Sequence, residues 1–261
     1  YKVRVARLTQ LARRRPLKNE EMERLQRNLA CMRMLCDTLY ILDQGCRISP
    51  KLKELGNILQ ELMADGDHKI LVFSEWERML QLVREQAEDL ELGFAWHTGT
   101  VPQSKRRTEI RRFKDDPECR LFLSTDSGAV GLNLQVADVV INLDLPWNPA
   151  KLEQRIARAW RKHQKRPVQV INLVAQHSIE HRMLSLLEQK RSMAKGVLDG
   201  KGASEMALPS GRAAFLERLD HLSLPTSFRA KVDGLFCGYS LTMSGADDLE
   251  EDALRQTRLA L

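Results

Sequence analysis

Residues 123–149 read LSTDSGAVGLNLQVADVVINLDLPWNP. Just ahead of it Leu121 opens a short apolar run to Ser124, and Val139–Leu143 forms a second. Runs this short and this continuously apolar suit strands covered on both faces, as in a parallel sheet. Each run gives way to polar, Gly- or Pro-bearing sequence, and a short helix at Ser127–Asn133 fits between them. The same unit repeats outward, with strands expected at Ile70–Phe73, Gly93–His97 and Val168–Val174. Helices are expected between them at Glu77–Glu91, Gln103–Lys114 and Ala150–Lys162, and after the last strand at Ile179–Met193. Thr100 and Gln103 have capping-box spacing. Strands alternating with amphipathic helices predict an α/β parallel sheet flanked by helices.

The flanks differ. Residues 1–48 read as basic and helical, broken at Arg13-Arg14-Arg15-Pro16, with Met22, Leu25, Leu29, Met32, Leu35 and Leu39 at helical spacing. Ser49-Pro50 then starts a helix: Ser satisfies a free amide and Pro fits the first helical position. Beyond Gly196 the signal weakens; Gly211–His221 reads as one more helix, and the sequence from Leu224 as a mobile acidic tail.

The 261 residues are 43% hydrophobic and 29% charged, a composition that excludes a disordered or fibrous chain. No stretch approaches the roughly 18–20 apolar residues of a membrane span, so no membrane partner is expected. Five cysteines without a C-x-x-C pair favour a reducing compartment over a disulfide framework. His177 and His181 lie four apart, but lack the H-E-x-x-H order and a third ligand, so no metal site is expected. The net charge of +6 conceals an asymmetry: residues 247–261 hold five acids and two arginines, which leaves +9 on residues 1–246. That balance suits a polyanionic partner. The first residues, Tyr1-Lys2-Val3-Arg4, read as the cut end of a longer chain.

Ligands of open parallel sheets gather beyond the carboxyl ends of the strands. There the sequence places Ser74-Glu75-Trp76, Thr98-Gly99-Thr100, Ser124-Thr125-Asp126 and Asp144 to Pro149. Small hydroxyls and glycines suit phosphate oxygens, and equally suit helix caps and turns. In QRIARAWRKHQ (154–164), Gln154, Arg158 and Arg161 share one face of the expected helix. Two guanidiniums there could stabilise charge on a transferring phosphoryl group, or form a solvated basic face with Lys151, Arg155 and Lys162 on the others. Arg106, Arg107, Arg111 and Arg112 make two further basic pairs, open to DNA backbone or to solvent.

KILVFSEW (69–76), HTGTVPQSKR (97–106), LSTDSGAVGLNLQVADVVINLDLPWNP (123–149) and QRIARAWRKHQ (154–164) together resemble motifs four to six of a superfamily-two helicase. W-N-P and the trailing H-Q narrow the resemblance to SWI/SNF-type DNA translocases; LACMRMLCDTLYILD (29–43) and SPKLKEL (49–55) resemble the lead-in of that family. The resemblance implies a RecA-like lobe of P-loop-NTPase type over 49–196. A helical lead-in from a first lobe precedes it at 1–48, and a helical brace with an acidic tail follows at 197–261.

Residue by residue, it implies that Arg158 and Arg161 are arginine fingers, the catalytic pair, reaching ATP phosphates held with Mg2+ mainly by the first RecA-like lobe. Gln154, Gly131 and Asn133 match nucleotide-side positions. Ser74, Thr98, Gly99, Ser124 and Thr125 match positions that track the phosphates of one strand of double-stranded DNA. Trp147 and Asn148 sit where the family couples strand grip to nucleotide state. Glu75 departs from the usual glutamine, and its carboxylate would repel phosphate, so it is not expected to touch DNA. Ala129 and Ala157 stand where glycine is common, Trp160 where histidine is frequent, and Lys162-His163 in place of a small pair.

The sequence has no G-x-x-x-x-G-K-[ST] loop and no acidic magnesium motif. The expectation is therefore one motor half of an ATP-dependent duplex-DNA translocase, inactive as an ATPase alone and working past some DNA-bound protein. It would be cytoplasmic and nucleoid-associated in a bacterium, nuclear in a eukaryote. A strand-separating helicase and a non-catalytic DNA- or protein-binding module remain the alternatives.

Overall fold

The computed structural model describes residues 1–126, 132–161, 167–184 and 236–243, the last as backbone alone. Helices α1 (Lys2–Arg14), α2 (Asn19–Asp37) and α3 (Pro50–Asp65) precede the sheet, with a 3-10 turn at Leu39–Ile41. Then follow β1 (Ile70–Phe73), α4 (Glu77–Asp89), β2 (Gly93–His97), α5 (Gln103–Asp115), β3 (Cys119–Ser124), β4 (Val139–Asn142), α6 (Pro149–Ile156), β5 (Val168–Ala175) and β6 (Phe236–Met243). The strand order is β2-β3-β1-β4-β5-β6. The first five strands are parallel, and β6 runs antiparallel to β5. The expected α/β fold is present: a five-stranded parallel sheet with helices on both sides.

Strand alternation divides the core. Leu71 and Phe73 of β1 face a cluster with Val5, Leu25 and Met32 of the lead-in, Phe113 of α5, and Leu152 and Ile156 of α6. Ile70 and Val72 face the other side, with Leu55 and Leu59 of α3 and Met79, Leu80 and Val83 of α4. The lead-in helices thus share the core of the sheet. Ser49 caps α3 as its sequence suggests, its hydroxyl accepting from the Leu52 amide at 3.3 Å. The ammonium of Lys69 donates to the carbonyls of Phe113, Asp116 and Cys119, joining the end of α5 to β3.

Three expectations are corrected. The Thr100–Gln103 capping box does not form: α5 follows Pro102 without a side-chain cap, and the Thr100 hydroxyl donates instead to Glu77 at 2.7 Å. The helix expected over Ala150–Lys162 ends at Ile156. There the amides of Arg158 and Ala159 turn to carbonyls three residues back, and the Arg158 carbonyl accepts from Leu134 at 2.9 Å, a partner 24 positions upstream. Within the segment read as brace and tail, Phe236–Met243 is a strand. The short helix expected at Ser127–Asn133 falls mostly outside the described residues, as do the helix at Gly211–His221 and the acidic cluster. Among the described residues, no helix is long and apolar enough to cross a membrane.

A buried charge cluster ties the lead-in to the end of the lobe. Lys51, with no exposed surface, donates to Asp37 at 2.7 Å, Glu180 at 2.8 Å and the Leu143 carbonyl. Burial raises the pKa of both carboxyls, and Lys51 only partly offsets it. The two carboxylates raise that of Lys51 against its burial. Lys51→Met would leave two buried carboxyls without the cation that pairs them. They would then fold as neutral acids, taking up protons, so stability would fall with rising pH by about 1.4 kcal/mol per unit for each proton taken up. Thermal melts should show a larger deficit against the parent at pH 8 than at pH 5; an equal deficit at both would exclude this charge state.

Candidate nucleotide and DNA edge

The loops leaving β1, β2, β3 and β4 share the carboxyl edge of the sheet, and most of their polar side chains turn inward. Ser74, Thr98, Ser124 and Thr125 are all buried. Ser74 donates to Asp144 Oδ2 at 2.6 Å, Thr98 to Glu77 at 3.2 Å, and Ser124 to the Thr125 carbonyl at 3.0 Å. In this conformation their hydroxyls build the loops, so a phosphate would meet the backbone and exposed Gly99 first. The Gly99 carbonyl is held by Arg106 at 2.7 Å, and Arg106 also donates to the Val101 carbonyl. One of the four arginines expected on a basic face thus braces this turn. The neighbouring imidazole of His97 is buried against Phe122, and its pKa is lowered by burial and then by Arg106.

Asp144 organises the centre of the edge. Besides Ser74 it accepts from the Glu75 amide at 2.7 Å, while its other oxygen meets Arg155 at 3.0 Å. Burial opposes its charge, but Arg155, the Ser74 hydroxyl, Arg33 and Lys51 outweigh burial and hold the carboxyl below its ordinary pKa. Arg155 is 2% exposed and also grips both oxygens of Asp126, at 2.6 and 3.1 Å, with the Asp144 carbonyl at 2.8 Å. In one of the two readings of its sequence, Arg155 belongs to a solvated basic helix. It is instead the buried keystone of α6, and only its place beside two acid-bearing loops could have hinted at that.

The helix correction changes how the two arginines meet. Arg158 and Arg161 lie on the turn beyond α6, so the shared helical face with Gln154 does not exist. Arg158 is buried, its Nε without a partner among the described residues, and burial followed by Arg161 lowers its pKa. Arg161 is exposed and donates to the carbonyls of Leu132 at 3.0 Å and Ala157 at 3.3 Å. With the Leu134–Arg158 bond, these contacts set exposed Asn133 beside both arginines. Gln154 is exposed on α6, and Gly131 lies outside the described residues. Asn148 caps α6, accepting from the Ala150 amide at 3.0 Å, and Trp147 is 38% exposed just before it.

A family model described as the helicase conserved C-terminal domain matches residues 50–163. A RAD54-like DNA repair and recombination protein of Drosophila pseudoobscura pseudoobscura is 36% identical over 160 residues, 60% of this chain and 20% of its own length. The Sulfolobus solfataricus SWI2/SNF2 ATPase core in complex with dsDNA superposes with a TM-score of 0.61 at 26% identity, covering 77% of this chain and 43% of that one. Residues 50–163 thus match the helicase conserved C-terminal domain, and the chain is similar to SWI2/SNF2 ATPases in that region.

The C-terminal domain of the Sulfolobus solfataricus SWI2/SNF2 ATPase, 22% identical with a TM-score of 0.59, repeats the fold over 83% of this chain and 86% of that domain. The chain spans about a fifth of the length of the curated RAD54-like relatives it matches. Its fold is the expected RecA-like helicase C-terminal lobe.

Proposed function

We propose that the chain is the second motor lobe of an ATP-dependent duplex-DNA translocase. Arg158, with Arg161, would reach the phosphates of ATP and Mg2+ held by a first lobe. The observation that carries this reading is Arg158 itself: a buried side chain whose Nε lacks an acceptor among the described residues, fixed through its carbonyl to the β3–β4 connection. A buried donor without a partner is costly, and a phosphate oxygen would satisfy it. Gln154, Asn133 and Gly131 complete the nucleotide side. The loops bearing Ser74, Thr98, Gly99, Ser124 and Thr125 make the duplex track, and Trp147–Asn148 links the two. That a homologous core is described in complex with dsDNA supports the duplex as partner. Lobe closure on ATP and reopening after hydrolysis would ratchet the duplex past a bound protein.

The residues present fit half a nucleotide site. They offer guanidiniums and amides, while among the described residues the edge carboxylates are already engaged: Asp126 and Asp144 with Arg155, Glu75 with Arg33, and Glu77 with Thr98 and Thr100. Bound Mg·ATP would supply the phosphoryl group, and this chain would supply positive charge toward it. The chain alone should therefore release no phosphate from ATP, with or without duplex DNA. Joined to the lobe that precedes it in the full-length protein, it should give DNA-stimulated hydrolysis without displacing a strand. Hydrolysis by the chain alone, or none by the joined lobes, would overturn the reading; strand displacement would replace the translocase with a helicase.

A further inference from the structure

Arg33 sits near the end of α2, in the segment whose sequence reads as a basic, helical lead-in. Its side chain is 2% exposed and donates to Glu75 Oε2 at 2.6 Å and to the Leu145 carbonyl at 2.9 Å. The guanidinium carbon lies 5.7 Å from the Trp76 ring centroid and 5.5 Å from that of Trp147, within cation–π range of both. Glu75 and Trp76 belong to the loop after β1, whereas Leu145 and Trp147 belong to the loop that runs from β4 into α6. One buried guanidinium therefore grips two edge loops from a third element.

We infer that Arg33 is a positioning residue: it neutralises Glu75 beside the duplex track and holds the Trp147 loop, so that the track and α6 shift together. This rests on the motor reading above. Glu75 is 33% exposed, so its carboxylate, freed of Arg33, would face the phosphates that pass the β1 loop. Arg33 thus explains how this lobe tolerates a carboxylate at position 75. The ion pair also has a physical route to α6. The Glu75 amide donates to Asp144, Asp144 pairs with Arg155, and Arg158 follows one turn later. Only a guanidinium serves here, because two acceptors and two ring faces need a planar, multiply donating cation.

The test uses the full-length protein that carries this lobe, comparing Arg33→Gln with the double variant Arg33→Gln/Glu75→Gln. Three quantities are read: the half-saturating duplex concentration for ATPase stimulation, the maximal stimulated rate, and iodide quenching of Trp147, defined by difference from Trp147→Phe. Arg33→Gln should raise the half-saturating duplex concentration about threefold to fivefold, as expected for one partly exposed charge. It should also lower the maximal rate and raise Trp147 quenching. The double variant should recover the parental duplex dependence, since the repulsive carboxylate is gone, but not the maximal rate or the quenching. A merely structural defect would depress both kinetic parameters without recovery of either.

Parental behaviour of Arg33→Gln, or a double variant as impaired toward duplex as the single, would overturn the assignment. If Arg33→Gln fails to fold, Arg33→Lys keeps the charge but loses the planar guanidinium that spans both rings. It should then keep the duplex dependence and raise the quenching, and parental quenching would overturn the proposal. Absence of DNA-stimulated hydrolysis in the parent would sink the motor reading instead, and quenching would still decide whether Arg33 holds Trp147.

Discussion

Arg155→Ala is expected to cost about 3–5 kcal/mol of folding stability, the usual penalty for removing one partner from a buried ion pair. The cost arises because Asp144 would lose its main counter-charge while remaining buried, and Asp126 would lose both of its donors in Arg155. Arg155→Lys should recover little: an ammonium cannot bridge two carboxylates, a carbonyl and the Asn142 amide oxygen at once. Pairing Arg155→Met with Asp144→Asn should be milder than Arg155→Ala alone, because it removes charge on both sides. Denaturant titrations of the four proteins measure this directly. If Arg155→Ala melts like the parent, the keystone role fails. Loss of Ser74 ordering should follow, since Asp144 holds the Ser74 hydroxyl and the Glu75 amide together.

Arg158→Ala, placed in the full-length protein, should cut DNA-stimulated ATP turnover by about 10³–10⁵-fold, the range associated with an arginine finger. Nucleotide binding should remain near parental, because the first lobe is expected to hold most of the ATP. Arg161→Ala should also abolish stimulation, but it breaks contacts to the Leu132 and Ala157 carbonyls as well and so perturbs the Asn133 turn. Arg158→Lys should stay strongly impaired, since a point charge on a flexible stem does not reproduce a guanidinium already desolvated in place. Rapid-quench hydrolysis alongside nucleotide-affinity measurements would separate the two effects. Turnover retained in both alanine variants would remove the finger assignment and leave a DNA-binding module.

The strands were legible because two-sided burial writes itself as an unbroken apolar run. All five expected parallel strands lie within a residue or two of where the structure has them. Helix α6 ends earlier than its spacing predicts: beyond Ile156 the amides turn to carbonyls three residues back, and the Arg158 carbonyl accepts from the Leu134 amide across the fold. Local spacing carries no sign of such a partner. The same limit hid Arg33, Lys51 and Arg155. A charged residue on an amphipathic helix reads as surface until its partners appear, and Lys51 finds Asp37 and Glu180 at separations of 14 and 129 residues. The hydroxyl loops were found at the right edge, but their inward hydrogen bonds to Asp144 and Glu77 were not readable from residue type.

The chain of charges from Arg33 through Glu75, Asp144 and Arg155 to Asp126 has a consequence for how this lobe can drift in sequence. Hydropathy would rank these positions among the freest to vary, while Trp147 and the apolar strands would rank as fixed. The paired ions erase that difference at one edge only. A saturation mutagenesis map should therefore show a polar stripe as intolerant as the apolar core, set against the ordinary permissiveness of exposed charges on α1 and α5. Neutral drift across the stripe would have to proceed by paired changes of opposite sign.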